Sequence, residues 1–128
     1  MRIVSVCLMA AFITMLPAMA TVIDTRASGV YSNMHHEGLR TYGIEIFLMY
    51  ADKIPFVLLQ VADKVTSVPV LIRAKMSSGV PRCLDFDVPK EFGLWGHFHG
   101  VFENQRLKGT FEGNQTTVDL PRQKSFWQ

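Results

Sequence analysis

Runs of residues rich in valine, isoleucine, phenylalanine and tyrosine recur along the chain about every 10–14 residues, with turn-forming residues between them. Within several runs apolar and polar residues alternate, which is typical of strands with one buried face. The pattern predicts an all-β fold, an antiparallel up-and-down meander of about eight strands forming a small barrel. A short helical turn is expected at 89–94, with longer loops at 33–41 and 76–81. The expected strands are 28–33, 42–51, 54–62, 67–75, 82–88, 95–103, 106–112 and 115–121.

The last three expected strands can be paired in a self-consistent register. A two-residue turn at Asn104-Gln105 and a second turn at Gly113-Asn114 fix which residues face each other. One side of the meander is then apolar or glycine, and the other side is polar with an opposite-charge pair. The predicted pairs are Phe98 with Phe111, Gly100 with Gly109, Phe102 with Leu107, Phe111 with Thr116, Gly109 with Val118, Leu107 with Leu120, Lys108 with Asp119, and His97 with Glu112.

The hairpin at 42–62 differs from the other strands because both of its faces are apolar. A turn at Asp52-Lys53 pairs Leu48 with Val57 and places one set of aliphatic side chains in the core. The second face would ordinarily be polar, and an apolar cluster there indicates an interface or a ligand groove. We weigh four occupants: a homodimer, a protein partner, a lipid surface, or cover by this chain's own residues. The apolar residues of this face are Phe47, Met49, Phe56 and Leu58, and the candidate covers are 33–41, 89–94 and 125–127.

The N-terminus has the features of an export signal. Arg2 precedes an almost wholly apolar run, Ile3–Leu16, which Pro17 ends. Ala18-Met19-Ala20 then supplies the small-x-small motif that signal peptidases cleave. We therefore expect cleavage near Ala20, with retention as an uncleaved anchor as the alternative.

Removal of residues 1–20 would leave a single domain, 21–128, in the periplasm or outside the cell. Lys+Arg then falls from 13 to 12, against 11 Asp+Glu, and this near-neutral balance argues against a nucleic-acid-binding face. No later stretch approaches the ~20 apolar residues of a spanning helix. Cys83 is the one cysteine left, so we expect it to be shielded or to pair between chains.

Two facing glycines, Gly100 and Gly109, remove side chains from the inner side of the meander. The resulting gap has two interpretations. An aromatic side chain from across the core, Tyr31 or Trp95, fills it, or it forms part of a small apolar cavity such as eight-stranded barrels use to hold one ligand.

Candidate chemical groups are few. His97 and His99 lie on one side of a strand with Glu112 opposite His97, which makes them weak metal-ligand candidates. Asp85 and Asp87 also share a face, and we expect Arg73 and Lys75 to be their partners. The chain has no nucleophile elbow, no phosphate-binding glycine loop and no zinc-protease motif, so we expect neither enzyme activity nor a cofactor.

The chain resembles the small exported up-and-down barrels of the lipocalin and avidin type. The resemblance rests on Gly29-Val30-Tyr31 in the first strand and on two glycine- and aromatic-rich segments, Gly96–Gly100 and Leu107–Phe111. It spans most of 28–121, although the chain lacks a lipocalin-like disulfide and has Val30-Tyr31 where a tryptophan would be expected. The resemblance implies a barrel fold and capture of a small ligand.

These observations predict an exported, non-enzymatic binding protein. The apolar face of the 42–62 hairpin would contact a protein partner or a second copy. The alternative is a carrier that holds a small apolar ligand in the barrel interior around Gly100 and Gly109, and a metal-binding role through His97 and His99 is less favoured.

Overall fold

The structure, a computed structural model, describes residues 27–128. The predicted signal peptide and its cleavage site lie outside the described residues. None of the helical segments between residues 27 and 128 has the length and apolar character of a membrane-spanning helix. The described chain is all-β, with ten strands and a short 3-10 helix at Lys90–Phe92. The strands are β1 Gly29–Ser32, β2 His35–Glu37, β3 Arg40–Ala51, β4 Ile54–Thr66, β5 Val70–Arg73, β6 Lys75–Met76, β7 Cys83–Asp87, β8 His97–Glu103, β9 Arg106–Phe111 and β10 Thr116–Pro121.

The strands form two five-stranded antiparallel sheets. The first has the order β1-β3-β4-β5, with β2 also paired to β3, and the second has the order β10-β9-β8-β7-β6. Within the described residues no closed barrel is found, so the fold differs from the single eight-stranded meander expected. Two features account for the additional strands: β2 forms inside the expected loop 33–41, and the expected strand 67–75 is divided at Ala74.

The two sheets meet at both edges without a continuous ladder. At Ala74 the chain passes from the first sheet to the second, and the Ala74 amide donates to the carbonyl of Pro55 at 2.9 Å. At the opposite edge a single bridge joins Tyr31 to Arg122, and the Gln123 amide donates to the carbonyl of Val30 at 2.9 Å.

The predicted hairpin registers are confirmed. Asp52 and Lys53 have φ angles of 47° and 68°, and Asn104 and Gln105 have φ angles of 50° and 61°. Two consecutive positive φ angles are the signature of the tight turn whose twist matches that of paired strands. The confirmed pairs include Leu48 with Val57, Ile46 with Leu59, Ile44 with Val61, Phe98 with Phe111, Gly100 with Gly109, Phe102 with Leu107, Gly109 with Val118 and Lys108 with Asp119.

The core lies between the inner faces of the two sheets. The aromatic part of this core is a cluster in the second sheet, where the Phe98 ring lies 4.8 Å from Phe86 and 4.7 Å from Phe111. Trp95 closes the cluster with an edge-on contact to Phe111 at 4.9 Å. The fully buried apolar side chains are Ile46, Leu48, Val57, Leu59, Leu84, Phe98, Leu107, Phe111 and Leu120.

Candidate functional site

The outward face of the first sheet carries a row of apolar side chains that crosses four strands. Val30 on β1 pairs with Phe47 on β3, Phe47 pairs with Leu58 on β4, and Leu58 pairs with Leu71 on β5. Residues directly opposite in antiparallel strands point to the same side of a sheet. Phe47 is 38% exposed and Leu71 is 59% exposed, so this row is open to solvent at its centre and at the β5 end.

A second row lies beside the first, one step nearer the Asp52-Lys53 turn. Met49 pairs with Phe56, and Phe56 pairs with Arg73 on β5. Met49 and Phe56 are half-buried. The structure therefore brings the four predicted residues of the hairpin together on one face and adds Val30 and Leu71 to them. We call these six residues the docking face: Val30, Phe47, Met49, Phe56, Leu58 and Leu71.

The C-terminal segment covers one end of the docking face. Glu45, which precedes Phe47 on the same side of β3, is only 7% exposed. Its two carboxylate oxygens accept hydrogen bonds from the Ser125 hydroxyl at 2.7 Å and from the Phe126 amide at 2.9 Å. Of the three covers that the sequence allowed, the structure places the residues at 125–127 over this face.

The two aromatic residues of this segment make different contacts. The Phe126 ring packs edge-on against the ring of His36 at 4.6 Å. The indole N–H of Trp127 donates to the side-chain oxygen of Gln60 at 2.6 Å, and the Trp127 side chain stays 53% exposed. Below it lies a groove of about 240 Å³, lined by Val30, Glu45, Phe47, Leu58, Gln60, Pro69, Ser125, Trp127 and Gln128.

The space above Gly100 and Gly109 is occupied by protein. A Cβ atom added at Gly109 would lie 2.7 Å from the carbonyl oxygen of His99 and 2.8 Å from Cε2 of Phe98. A Cβ atom at Gly100 would lie 2.7 Å from Cε1 of Phe98. The side chain that fills the gap is therefore Phe98, a neighbour on the same strand, and the carrier alternative loses the cavity on which it rested.

The two aromatics expected to fill this gap lie elsewhere. Tyr31 packs against Phe102 at 5.2 Å, and its hydroxyl donates to the carbonyl of Ala27 at 2.7 Å. Trp95 contacts Phe111 instead. Alternation along a strand shows which face a side chain occupies but not which way its ring turns, so sequence reasoning missed Phe98.

A linear network of two histidines and two aspartates lies on the outer face of the second sheet. The His97 ring donates from Nδ1 to Asp87 at 2.8 Å and from Nε2 to Asp85 at 3.0 Å. His99 Nδ1 donates to the same Asp85 oxygen at 2.8 Å. Because ionised carboxylates only accept hydrogen bonds, both contacts of His97 are hydrogen bonds at once only when its ring is doubly protonated.

The electrostatics of this network shift two pKa values in opposite directions. Hydrogen bonds to Asp87 and Asp85 raise the pKa of His97, because both favour the charged ring. Burial alone would raise the pKa of Asp85, but the hydrogen bonds from His99 and His97 outweigh it and lower the pKa of this carboxyl. Both shifts favour the charged forms, a protonated His97 ring next to an ionised Asp85.

The partners of the two aspartates differ from those expected. β7 pairs with β8 so that Asp87 lies opposite His97 and Asp85 opposite His99. Arg73 instead lies opposite Phe56 in the first sheet, because the chain changes sheets immediately after it. Lys75 does pair in register with Asp85, but the hydrogen bonds of that carboxylate go to the histidines.

The described residues do not bring His97, His99 and Glu112 together as one group of metal ligands. Glu112 meets His97 through the backbone, where its amide donates to the His97 carbonyl at 2.8 Å. Among residues 27–128, no three or more histidine, cysteine, aspartate or glutamate side chains are grouped to hold a metal ion. In the predicted loop, His35 contacts Glu37 at 3.1 Å and His36 contacts Thr41 at 3.0 Å.

A surface cleft of about 510 Å³ borders this network, and no sequence pattern predicted it. It forms where the turn after β7 and the turn between β9 and β10 approach each other, with the Gly113 amide donating to the Trp95 carbonyl at 2.8 Å. Because both ring nitrogens of His97 already bond to carboxylates, the ring presents no free nitrogen to the cleft. The lining residues are Asp87, Val88, Lys90, Gly93, Leu94, Gly96, His97 and Gly113.

Cys83 is half-buried and its thiol is free. Its sulfur lies 3.8 Å from the carbonyl oxygen of Pro81, and its backbone amide donates to the Ser77 hydroxyl at 2.8 Å. Pairing of Cys83 between chains stays a prediction.

Comparisons with protein-family models, curated proteins and solved structures found no match for this chain. The resemblance to lipocalins and avidins therefore stays a prediction.

Proposed function

We propose that this chain is an exported, non-enzymatic binding protein that docks a protein partner or a second copy on the docking face. The observation that carries the proposal is the row Val30, Phe47, Leu58 and Leu71, which crosses four strands on the side of the sheet facing away from the core. Contiguous apolar patches of this kind on a folded protein are typical of interaction surfaces.

The exposed part of the row provides a modest driving force. Complete burial of a leucine or phenylalanine side chain contributes about 1.5–3 kcal/mol. Covering the exposed fractions of Phe47 and Leu71 would thus contribute on the order of 2 kcal/mol. Association costs more than this, so a partner must also contact the half-buried Met49 and Phe56.

Site-specific photo-crosslinking tests the proposal. The photoreactive residue benzoylphenylalanine is placed at Leu71 in the full chain, and the matched control carries it at Leu39. Leu39 is an exposed leucine like Leu71, but it lies in the turn between β2 and β3, outside the docking face. We expect irradiation in the native compartment to give an adduct of defined mass at position 71 and none at position 39.

The mass of the adduct identifies the partner. A mass of twice the chain indicates a second copy, and any other protein mass indicates a different partner. In addition, Leu71→Asp and Phe56→Asp should abolish the association while Leu39→Asp leaves it intact. The proposal would be contradicted by the absence of an adduct at position 71 or by equal adducts at positions 71 and 39. It would also be contradicted if reductant alone dissociated the complex, because a disulfide through Cys83 would then hold it together.

A further inference from the structure

The C-terminal segment contacts the docking face through side chains and does not continue either sheet as a strand. Up to Gln123 the backbone is anchored, because the Arg122 amide donates to the Gln105 carbonyl at 2.8 Å and the Gln123 amide to the Val30 carbonyl. From Ser125 onward the hydrogen bonds to the first sheet are made to the side chains of Glu45 and Gln60, and the Phe126 ring packs against the His36 ring. The segment is therefore bound as a short peptide would be bound, by side-chain acceptors on a surface.

Glu45 acts as the acceptor for a hydroxyl and the amide that follows it. A carboxylate that is 7% exposed requires hydrogen-bond donors, since burying an unpaired charge is costly. Ser125 supplies an O–H to one oxygen and Phe126 supplies its backbone N–H to the other. The Ser125 hydroxyl also accepts from the Trp127 amide at 3.3 Å, which turns the segment back toward the sheet.

Gln60 is oriented to receive an indole. Its side-chain nitrogen donates to the carbonyl of Ser67 at 2.9 Å, which fixes the amide so that its oxygen faces Trp127. The indole N–H then donates to this oxygen at 2.6 Å. The ring nevertheless remains 53% exposed above the groove of about 240 Å³, and the apolar row continues past it to Leu71.

We infer that the docking face recognises a peptide segment with a serine followed by an aromatic residue and a tryptophan, and that Ser125-Phe126-Trp127 occupies this position as an internal competitor. The inference rests on the proposed docking function and names the chemistry of the partner. A partner segment that continues beyond its tryptophan covers the apolar side chains as far as Leu71, which the chain's own segment leaves bare. This additional burial allows the partner to displace the internal segment.

Peptide binding to a full-length variant tests the inference. In Ser125→Ala/Trp127→Ala the internal segment loses its hydroxyl and its indole. The probe is a fluorescein-labelled peptide with the sequence of residues 123–128, followed by fluorescence anisotropy. We expect saturable binding to the double variant at least tenfold tighter than to the wild type, because the competitor is weakened.

Matched controls identify the two acceptors. Adding Glu45→Ala or Gln60→Leu to the double variant should weaken peptide binding at least tenfold, and a peptide with alanine in place of its tryptophan should bind as weakly. Equal affinity of the wild type and the double variant, or binding insensitive to both acceptor changes, would overturn the inference.

A measurement on the wild-type sequence covers the case in which a variant does not fold. The chain has two tryptophans, and 5-fluorotryptophan labelling gives one ¹⁹F resonance each for Trp95 and Trp127. Excess of the same peptide, lengthened at its C-terminus by three leucines so that it continues beyond its tryptophan, should displace the internal segment, shift the Trp127 resonance and leave that of the core residue Trp95 unchanged. A Trp127 resonance that does not move at saturating peptide would overturn the inference, whereas an adduct at position 71 would still support the broader docking function.

Discussion

Replacement of Gly109 by alanine tests whether the interior between the sheets is packed or hollow. Gly109 lies on β9, directly opposite Gly100 on β8. Its φ angle is outside the left-handed region, so alanine is compatible with the backbone there. The effect of the substitution therefore depends on whether one methyl group can be accommodated.

The structure indicates that it cannot be accommodated without movement. The new Cβ would lie 2.7 Å from the His99 carbonyl oxygen and 2.8 Å from Cε2 of Phe98. The carbonyl is held in the β8–β9 ladder, and the Phe98 ring is fully buried against Phe86 and Phe111. Overpacking of this kind costs about 1–3 kcal/mol, and the lower backbone entropy of alanine in the unfolded chain offsets about 0.4–1 kcal/mol.

We therefore expect Gly109→Ala to lower the free energy of unfolding by about 1–2 kcal/mol. Urea denaturation followed by tryptophan fluorescence measures this difference. Gly79→Ala is the matched control, because a Cβ there meets nothing within 4 Å and its φ is not in the left-handed region. The control should leave the free energy of unfolding within about 0.5 kcal/mol of the wild type.

The opposite result would refute this account of the interior. If Gly109→Ala is as stable as Gly79→Ala, the Phe98 ring can turn away from the glycines at little cost. Space for a small apolar ligand would then exist above Gly100 and Gly109, and the carrier function would regain its support.

The remaining predictions concern the charge network, a buried hydroxyl and the N-terminus. Because the pKa of His97 is raised, its contribution to stability is complete below the ordinary value of 6.5 and is lost as the pH rises through the raised pKa. Because the pKa of Asp85 is lowered, its contribution to stability is complete above 3.8 and is lost as the pH falls through the lowered pKa. Asp85→Asn should therefore reduce stability most between these two values, and a wild-type-like pH profile from urea denaturation would contradict the network. Tyr31→Phe leaves the Ala27 carbonyl without its 2.7 Å donor and should cost about 1–2 kcal/mol of unfolding free energy, whereas an unchanged denaturation midpoint would contradict that bond. The intact mass of the exported protein should correspond to a chain beginning at Thr21, and a full-length mass would show that the signal is retained.

Much of the local strand pairing could be predicted from the sequence because hairpins are local. Once a two-residue turn is placed at Asn104-Gln105, the period of two along a strand fixes every pair in β8 and β9. The same reasoning gave the register of β3 with β4 and showed that Phe47 and Leu58 share a face away from the core. These conclusions depend only on neighbours in sequence, so they held even though the overall architecture differed.

Pairings across long connections could not be predicted in the same way. β7 and β8 are joined by residues 88–96, and no turn type fixes the register over such a length. The contact of Asp85 with His97 and His99 follows from that register, so the sequence suggested Arg73 instead. The change of sheet at Ala74 likewise depends on which edges are available once both sheets exist.

The sequence by itself determined the all-β class, the hairpin registers and an apolar outer face at 42–62, because alternation and turn residues act over a few positions. Only the tertiary structure decided how that face is used. It brought Ser125 and Phe126 to Glu45, from which they are separated by 80 and 81 residues along the chain, and it turned the Phe98 ring over the glycines. Both outcomes depend on packing between distant elements, whose energies are summed over the whole fold and leave no periodic pattern in the chain.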